Sequence, residues 1–189
     1  MRPAPANATG SAFVTVTAKV SIVIGIAATL YGAVQVIAAL VLLGQVDTDA
    51  LLGFLRSQSV PAPVLWVLTH LTSIAVGFLL VSAAFLAVSF GLLRRRAWGW
   101  WGFVFFMVAG AAANFAGIAA IETVFDWVQA LPHQPELEPM QAELAALRVA
   151  SLVTLWVSAF VFAALHGLLV WQLCRPEVRA EFGMLRPPR

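Results

Sequence analysis

Four polar side chains interrupt long apolar stretches of this sequence, and they are the first candidates for chemistry. Gln35, Asn114 and Ser158 offer hydrogen-bonding groups, and His166 is ionisable. Counted along helices from the nearest basic residues, the first three would lie about 24 to 27 Å deep and share one layer. Such a layer predicts either a polar pocket for a small ligand or interhelical hydrogen bonds that fix the helix register.

His166 would lie about 13 Å from the flanking arginine, with Tyr31 of the first apolar stretch at about 18 Å as a candidate partner. An ionisable group at such depth is a candidate for function. The alternative is a neutral, hydrogen-bonded histidine with a structural role. Gln35, Asn114, Ser158, His166 and Tyr31 therefore form the predicted ligand-binding set.

Other reactive residues indicate no enzyme class. His70 falls near the height of Glu122 and Asp126, but this spacing favours an exposed histidine over a metal site. Cys174 is the single cysteine, so no intramolecular disulfide forms. His70 and His166 differ in depth by about 23 Å, too far to hold one haem. P-loop and common hydrolase motifs are absent from the sequence. We predict no catalytic residue, no cofactor and no metal.

The elements that position these side chains follow from composition. The chain is 61% hydrophobic and 11% charged, whereas soluble domains carry roughly 25% charged residues. Four long apolar runs, at 20–43, 64–93, 97–121 and 149–174, each reach the length of about 20 residues that spans a bilayer. The sequence therefore predicts an all-α membrane protein, a four-transmembrane-helix bundle in residues 13–175.

The flanking segments complete the predicted organisation. Residues 1–12 are predicted to be a disordered cytoplasmic tail, and residues 176–189 a cytoplasmic tail with a short interfacial helix. In that helix Val178 and Phe182 would face the membrane. The third and fourth helices stay helix-compatible on both sides of a proline-rich turn at 131–139, which predicts that they extend as an acidic hairpin outside the membrane.

Basic residues are distributed unevenly among the connections, which predicts orientation. Only Arg56 and Arg148 fall in the first and third connections. The same side carries the acidic residues Asp47, Asp49, Glu122, Asp126, Glu136, Glu138 and Glu143. The opposite side carries Arg2, Lys19, Arg94, Arg95, Arg96, Arg175, Arg179, Arg186 and Arg189. We therefore predict a multi-pass protein of the bacterial inner (cytoplasmic) membrane with both the N-terminus and the C-terminus cytoplasmic.

The stretch "LLRRRAWGWWGFVF" is predicted to be the short cytoplasmic turn between the second and third helices. Its arginines would meet anionic lipid headgroups, and its tryptophans would form an interfacial belt. A nucleic-acid site would spread its basic residues over a face, so the lipid bilayer is the predicted partner and nucleic acid is not. The predicted lipid and interface residues are Arg94, Arg95, Arg96, Trp98, Trp100 and Trp101.

Small residues predict where the helices approach one another closely. Gly32 on the first helix and Gly117 on the third are expected to sit against neighbouring helices. On the second helix, Ser73, Gly77 and Ala84 are expected to form the packing face.

The four-helix layout and the segment "GLLRRRAWGWW" resemble small bacterial four-helix inner-membrane proteins of unknown function, and the resemblance implies no catalytic residues. Three functions follow in order. The first is a non-enzymatic integral membrane component, an accessory subunit or self-associating bundle whose partner is a second copy or another membrane protein. The alternative is a small transporter or channel subunit that uses the layer of Gln35, Asn114 and Ser158. The third is a membrane enzyme that uses His166.

Overall fold

The structure, a computed structural model, describes residues 8–57, 60, 62–130 and 138–184, and no strand occurs among them. The predicted all-helical class is confirmed. Residues 8–12 of the predicted tail are helical, while residues 1–7 and 185–189 lie outside the described residues, as does most of the proline-rich turn. The helices are α1 (Ala8–Gln45), α2 (Thr48–Ser57), α3 (Ala62–Thr69), α4 (Leu71–Leu93), α5 (Ala97–Ala130), α6 (Glu138–Leu173) and α7 (Pro176–Glu181).

Four of these helices contain a segment long and apolar enough to cross a membrane: Ala12–Gln45, Leu71–Leu93, Ala97–Trp127 and Glu143–Leu173. They match the four predicted apolar helices. In the most apolar window of each segment, at most 22% of the residues are buried within the chain. The chain thus covers little of its own apolar surface, and the remaining surface requires lipid or another protein around it.

The predicted second helix is divided into α3 and α4 by His70. The backbone N–H of His70 donates to the Trp66 carbonyl oxygen at 3.0 Å. The His70 Nδ1 atom bonds the same oxygen at 2.8 Å. His70 itself has φ −105° and ψ 16°, outside the α-helical range, and this is where the helix is interrupted. The short helix α2 is capped at its start by Asp47, whose carboxylate accepts a hydrogen bond from the Ala50 N–H at 3.1 Å.

Helices α1 and α4 pack in antiparallel orientation along a seam of small residues. Gly25 lies against Leu86 and Gly32 against Leu79, where a Cβ atom on Gly32 would come within 3.0 Å of the Leu79 Cα atom. The predicted close approach at Gly32 is confirmed. The buried small residues are Ala18, Ser21, Gly25, Gly32 and Ala39 on α1, and Ala75, Ser82 and Ser89 on α4. Spacings of three, four and seven residues keep such a seam aligned between two helices.

The predicted packing face of α4 is wrong. Ser73 and Ala84 are exposed, and no atom lies within 4 Å of a Cβ placed on Gly77. The true seam through Ala75 and Ser82 is offset from Ser73 and Ala84 by two residues. Two residues turn a helix by about 200°, so the prediction selected the opposite side.

Helices α5 and α6 form the second antiparallel pair. Phe115 packs against Trp156 and Phe160, with ring centroids 5.9 and 5.6 Å apart. Towards the end that carries the acidic connections, Arg148 on α6 contacts Asp126 and Gln129 of α5, each at 2.7 Å. We call this end the acidic end.

The expectation that Gly117 packs against a neighbouring helix is wrong. Gly117 is exposed, and no atom lies within 4 Å of a Cβ placed on it. Its neighbour Ile118 is only 3% exposed and takes the packed position instead. One residue rotates the helix by about 100°, which is enough to move a side chain out of the interface.

The opposite end, the basic end, holds a core of buried apolar residues. It gathers the start of α1, the end of α4, the start of α5, the end of α6 and the short helix α7. The buried residues of this core are Val14, Ala18, Leu92, Trp100, Phe103, Met107, Leu173, Val178 and Phe182. The prediction that Val178 and Phe182 face the membrane is wrong, because both pack against this core instead.

The turn between α4 and α5 depends on glycine. A Cβ atom on Gly99 would overlap the backbone of Gly91 and Leu92, so only glycine allows this crossing. The turn itself closes with the Arg96 N–H donating to the Gly91 carbonyl oxygen and the Arg95 N–H to that of Leu92, at 3.0 and 3.1 Å. This is the Schellman arrangement, in which the residue after the helix adopts a left-handed conformation. Here that residue is Arg95, with φ at 55°.

Candidate functional site

The predicted polar layer is not gathered into one pocket within the chain. Gln35 and Asn114 are exposed and Ser158 is half-buried, and no hydrogen bond joins any two of these three side chains. Helix α1, which carries Gln35, packs along α4, while Asn114 and Ser158 belong to the α5–α6 pair. The layer stays a prediction that the packing of a single chain does not support.

Asn114 is a polar residue on a part of α5 that the chain leaves uncovered. Residues 112, 113, 116 and 117 are exposed like Asn114 itself. Its neighbours one turn away lie closer to α6: Ile118 is 3% exposed, and a Cβ on Gly110 would lie 3.8 Å from the Nε2 atom of His166. The Asn114 amide has no hydrogen-bond partner among the described residues.

His166 takes its hydrogen-bond partner from its own helix. Its Nδ1 atom lies 2.6 Å from the Phe162 carbonyl oxygen. Because a carbonyl oxygen only accepts, the proton resides on Nδ1. The proposed partnership with Tyr31 is wrong, since Tyr31 is 58% exposed and contacts the Phe78 ring instead. This geometry favours the structural interpretation of His166.

His70 and Asp126, which were expected at similar height, also contact different residues. The His70 ring stacks on Trp66 with centroids 4.6 Å apart. Asp126 forms an ion pair with Arg148 at 2.7 Å. Within the described ranges, no three His, Cys, Asp or Glu side chains lie close enough to hold a metal ion.

The predicted lipid and interface residues divide into two groups. Trp98 and Trp101 are 55% and 62% exposed, as an interfacial belt requires, and Arg94 and Arg96 are exposed as well. Trp100 is not part of an outward-facing belt, because it is only 3% exposed. Its indole N–H donates a hydrogen bond to the Leu173 carbonyl oxygen at 3.0 Å. This bond satisfies the last turn of α6, whose carbonyl groups have no partner within the helix.

Arg95 also differs from its prediction as a headgroup contact. Its Nη2 atom donates to the Thr15 hydroxyl at 3.0 Å. Its Nε atom pairs with the Glu181 carboxylate at 2.9 Å. Arg95 therefore ties the turn to α1 and to α7. Sequence reasoning did not identify Thr15 or Glu181, because neither belongs to a motif and both lie far from Arg95 along the chain.

The turn and its flanking helices enclose the candidate site, a hollow at the basic end. It has an apolar floor on α4 and a polar rim formed by arginine side chains and an indole. We call it the basic-end hollow, and its lining residues are Ala87, Phe90, Gly91, Arg94, Arg96 and Trp98. Gly91 shapes one wall, because a Cβ atom there would lie 2.6 Å from the Trp98 ring.

A second hollow lies between α5 and α6 towards the acidic end, lined by Ile121, Phe125, Ala150, Ser151, Thr154 and Leu155. The Thr154 hydroxyl donates to the Ala150 carbonyl oxygen of its own helix at 2.8 Å. No charged side chain lines this hollow among the described residues. Its chemistry is therefore mainly that of an apolar surface.

Together the fold and these surfaces define a helical bundle with four helices long and apolar enough to cross a membrane. Comparisons with protein families, curated proteins and solved structures find no match for this chain.

Proposed function

We propose that the protein is a non-enzymatic integral membrane component that acts by associating with another membrane-embedded chain, and that self-association is its primary mode. The single observation that carries this proposal is the exposed Asn114 amide, which has no hydrogen-bond partner among the described residues. An amide in hydrocarbon without a partner is unfavourable. The exposed Gly117 and Ala113 beside it would let the backbone of another helix come close.

The proposal includes a location in the bacterial inner membrane, with both termini cytoplasmic. Support comes from the distribution of charge over the bundle. Lys19, Arg175 and Arg179 lie next to residues of the basic-end core, which also contacts the arginine turn. The basic residues of three separate segments therefore share one end of the bundle, which is the arrangement that the positive-inside rule requires.

The proposal also keeps the external hairpin. Helices α5 and α6 have 34 and 36 residues. At about 1.5 Å per residue each extends roughly 50 Å, well beyond an apolar core of about 30 Å. With the basic end at the cytoplasmic surface, the excess length projects from the opposite surface, where Arg148 joins the two helices.

Disulfide cross-linking tests self-association. In a Cys174→Ser background, Asn114→Cys should form a disulfide-linked dimer in native membranes when an oxidant is added. Ala116→Cys is the matched control, because residue 116 is exposed at nearly the same depth but lies about 160° away around the helix. Equal cross-linking of the two variants would indicate random collision and would refute the proposal. A cross-linked product of another mass would indicate an accessory subunit bound at the same face.

The Asn114→Cys variant also distinguishes association from transport. A helix of a second chain would shield the introduced thiol from a membrane-impermeant maleimide, whereas a water-filled pathway would expose the thiol to that reagent. Rapid labelling without cross-linking would favour the transporter or channel alternative. Asn114→Leu should weaken the dimer about threefold, since hydrogen bonds between membrane helices contribute about 0.6 kcal/mol on average.

A further inference from the structure

We propose that the basic-end hollow binds one anionic phospholipid, with the phosphate of the headgroup on Arg94 and Arg96 and an acyl chain along the α4 floor. This inference rests on the insertion of the bundle in a membrane. It does not depend on the proposed self-association.

Arg94 and Arg96 have different surroundings from Arg95, which lies between them in the turn. Arg95 adopts the left-handed conformation and bonds Thr15 and Glu181. Arg94 and Arg96 flank it, and both line the hollow. Neither of the two forms an ion pair with a carboxylate of the described residues. Two exposed arginines that line one hollow suit a phosphate, because guanidinium groups bind phosphate oxygens through paired hydrogen bonds.

The surroundings reinforce the positive potential of the hollow. Helix α5 begins at Ala97, directly after Arg96, and has no acidic residue in its first turn. The N-terminus of a helix carries a partial positive charge that favours anions. Glu181, which reaches the turn, is not among the lining residues and pairs with Arg95 at 2.9 Å. The charge of the hollow therefore complements an anion.

The floor indicates a lipid and not a free anion. Ala87 and Phe90 are exposed apolar residues on a transmembrane segment, and they continue from the arginine rim along α4. The Trp98 ring lies over Gly91 and provides an amphipathic wall with one N–H group. A ligand that matches the whole hollow has an anionic head next to an apolar chain, which describes a phospholipid. An inorganic phosphate ion would use the rim alone.

The test measures retained lipid on the full chain. The protein is reconstituted in phosphatidylcholine vesicles doped with phosphatidylglycerol and extracted in mild detergent, and bound phosphatidylglycerol is counted by native mass spectrometry. The parent should retain one molecule. The double variant Arg94→Gln/Arg96→Gln should bind it roughly thirtyfold more weakly, because each basic residue at an anionic surface contributes about fivefold.

A matched control removes the same charge elsewhere at the basic end. Lys19→Gln/Arg175→Gln also loses two positive charges, but neither residue lines the hollow. It should retain phosphatidylglycerol like the parent. Equal losses in the two double variants would show a diffuse charge effect and would overturn the proposal. Because Arg94 and Arg96 are exposed, the melting temperature of their variant should equal that of the parent.

Two further experiments distinguish a bound lipid from a bound phosphate ion. Ala87→Trp fills the apolar floor and leaves both arginines in place, so it should abolish retention of phosphatidylglycerol. Inorganic phosphate should displace the lipid no better than chloride at equal ionic strength. Full retention by Ala87→Trp, or selective displacement by phosphate, would overturn the lipid assignment in favour of an anion site.

Fluorescence quenching tests the lipid selectivity of the hollow without changing any charged residue. The emission of Trp98 is obtained as the difference between the parent and Trp98→Phe. Brominated phosphatidylglycerol should quench this difference more strongly than brominated phosphatidylcholine at the same mole fraction. Equal quenching by the two lipids would mean that the hollow does not select an anionic headgroup, which contradicts the proposal.

Discussion

At the scale of single residues, the crossing of α4 and α5 depends most on Gly99. A Cβ atom at this position meets backbone atoms of Gly91 and Leu92, which cannot rotate away as a side chain can. The same crossing positions Trp98 over Gly91 and brings Trp100 to the end of α6. One glycine thus controls both the basic-end core and the shape of the basic-end hollow.

Gly99→Ala should destabilise the protein by about 1 to 3 kcal/mol, the usual effect of overpacking. The measurement is thermal unfolding of the purified protein in detergent. Gly167→Ala is the control, because a Cβ atom on this exposed helical glycine meets nothing within 4 Å. The control should be neutral or stabilised by up to about 1 kcal/mol through helix propensity. Equal melting temperatures for the two variants would contradict the close crossing.

The sequence identifies the three arginines as a basic group but does not separate their roles. Arg95 differs from Arg94 and Arg96 only in its left-handed backbone and its contacts with Thr15 and Glu181. These features arise from tertiary structure, because the turn brings Arg95 next to two residues distant in sequence. A left-handed L-residue is unfavourable by roughly 1 to 2 kcal/mol, and the two side-chain contacts offset that strain.

At the scale of elements, α7 is part of the basic-end core and not a peripheral tail. Its apolar face holds Val178 and Phe182, which are 4% and 6% exposed. Glu181 adds the ion pair to Arg95. The sequence showed that α7 has an apolar face, but an apolar face fits lipid and protein equally well. The choice between these two environments is made by the packing of other helices.

Phe182→Ala should lower the free energy of unfolding by about 3 to 5 kcal/mol, as expected for loss of a buried phenylalanine. Chemical or thermal unfolding in detergent measures this change. Phe105→Ala removes the same atoms from a side chain that is 66% exposed, so its effect should be much smaller. If both variants unfold alike, α7 is not packed against the bundle.

The four long apolar helices were predictable from sequence, whereas their packing faces were predicted only in part. Uninterrupted apolar runs identify helices that could cross a membrane, since hydrocarbon excludes charged residues. Inside a membrane, however, the outward and inward faces of a helix are both apolar. Small residues occur on more than one face of several helices, so they do not identify the packed face. Gly32 was predicted correctly to pack against a neighbouring helix, whereas Gly117 and the α4 face through Ser73 and Gly77 were not. Of the residues that line the basic-end hollow, only the arginines and Trp98 were predicted from the sequence.

At the scale of the whole molecule, the topology of the chain is the most direct expectation. Reporter fusions after Arg96 and Arg189 should report a cytoplasmic location, and a fusion near Gln134 an external one, because basic connections stay in the cytoplasm. Arg94→Gln/Arg96→Gln should lower the fidelity of insertion, since each basic residue contributes about 1 kcal/mol at an anionic surface. A cytoplasmic signal at Gln134 would refute the topology.

The composition of the basic-end core has a consequence for the order of biosynthesis. Val14 is among the first described residues to leave the ribosome, and its neighbours Val178 and Phe182 follow all four long helices. Proteins emerge from the N-terminus at about 5 to 20 residues per second, so several seconds pass between the synthesis of α1 and that of α7. The α1–α4 pair can assemble during that interval, but the core cannot close. A nascent chain that stalls within α6 therefore exposes the surfaces of Trp100 and Phe103 that are buried in the finished protein, and a protease can recognise them.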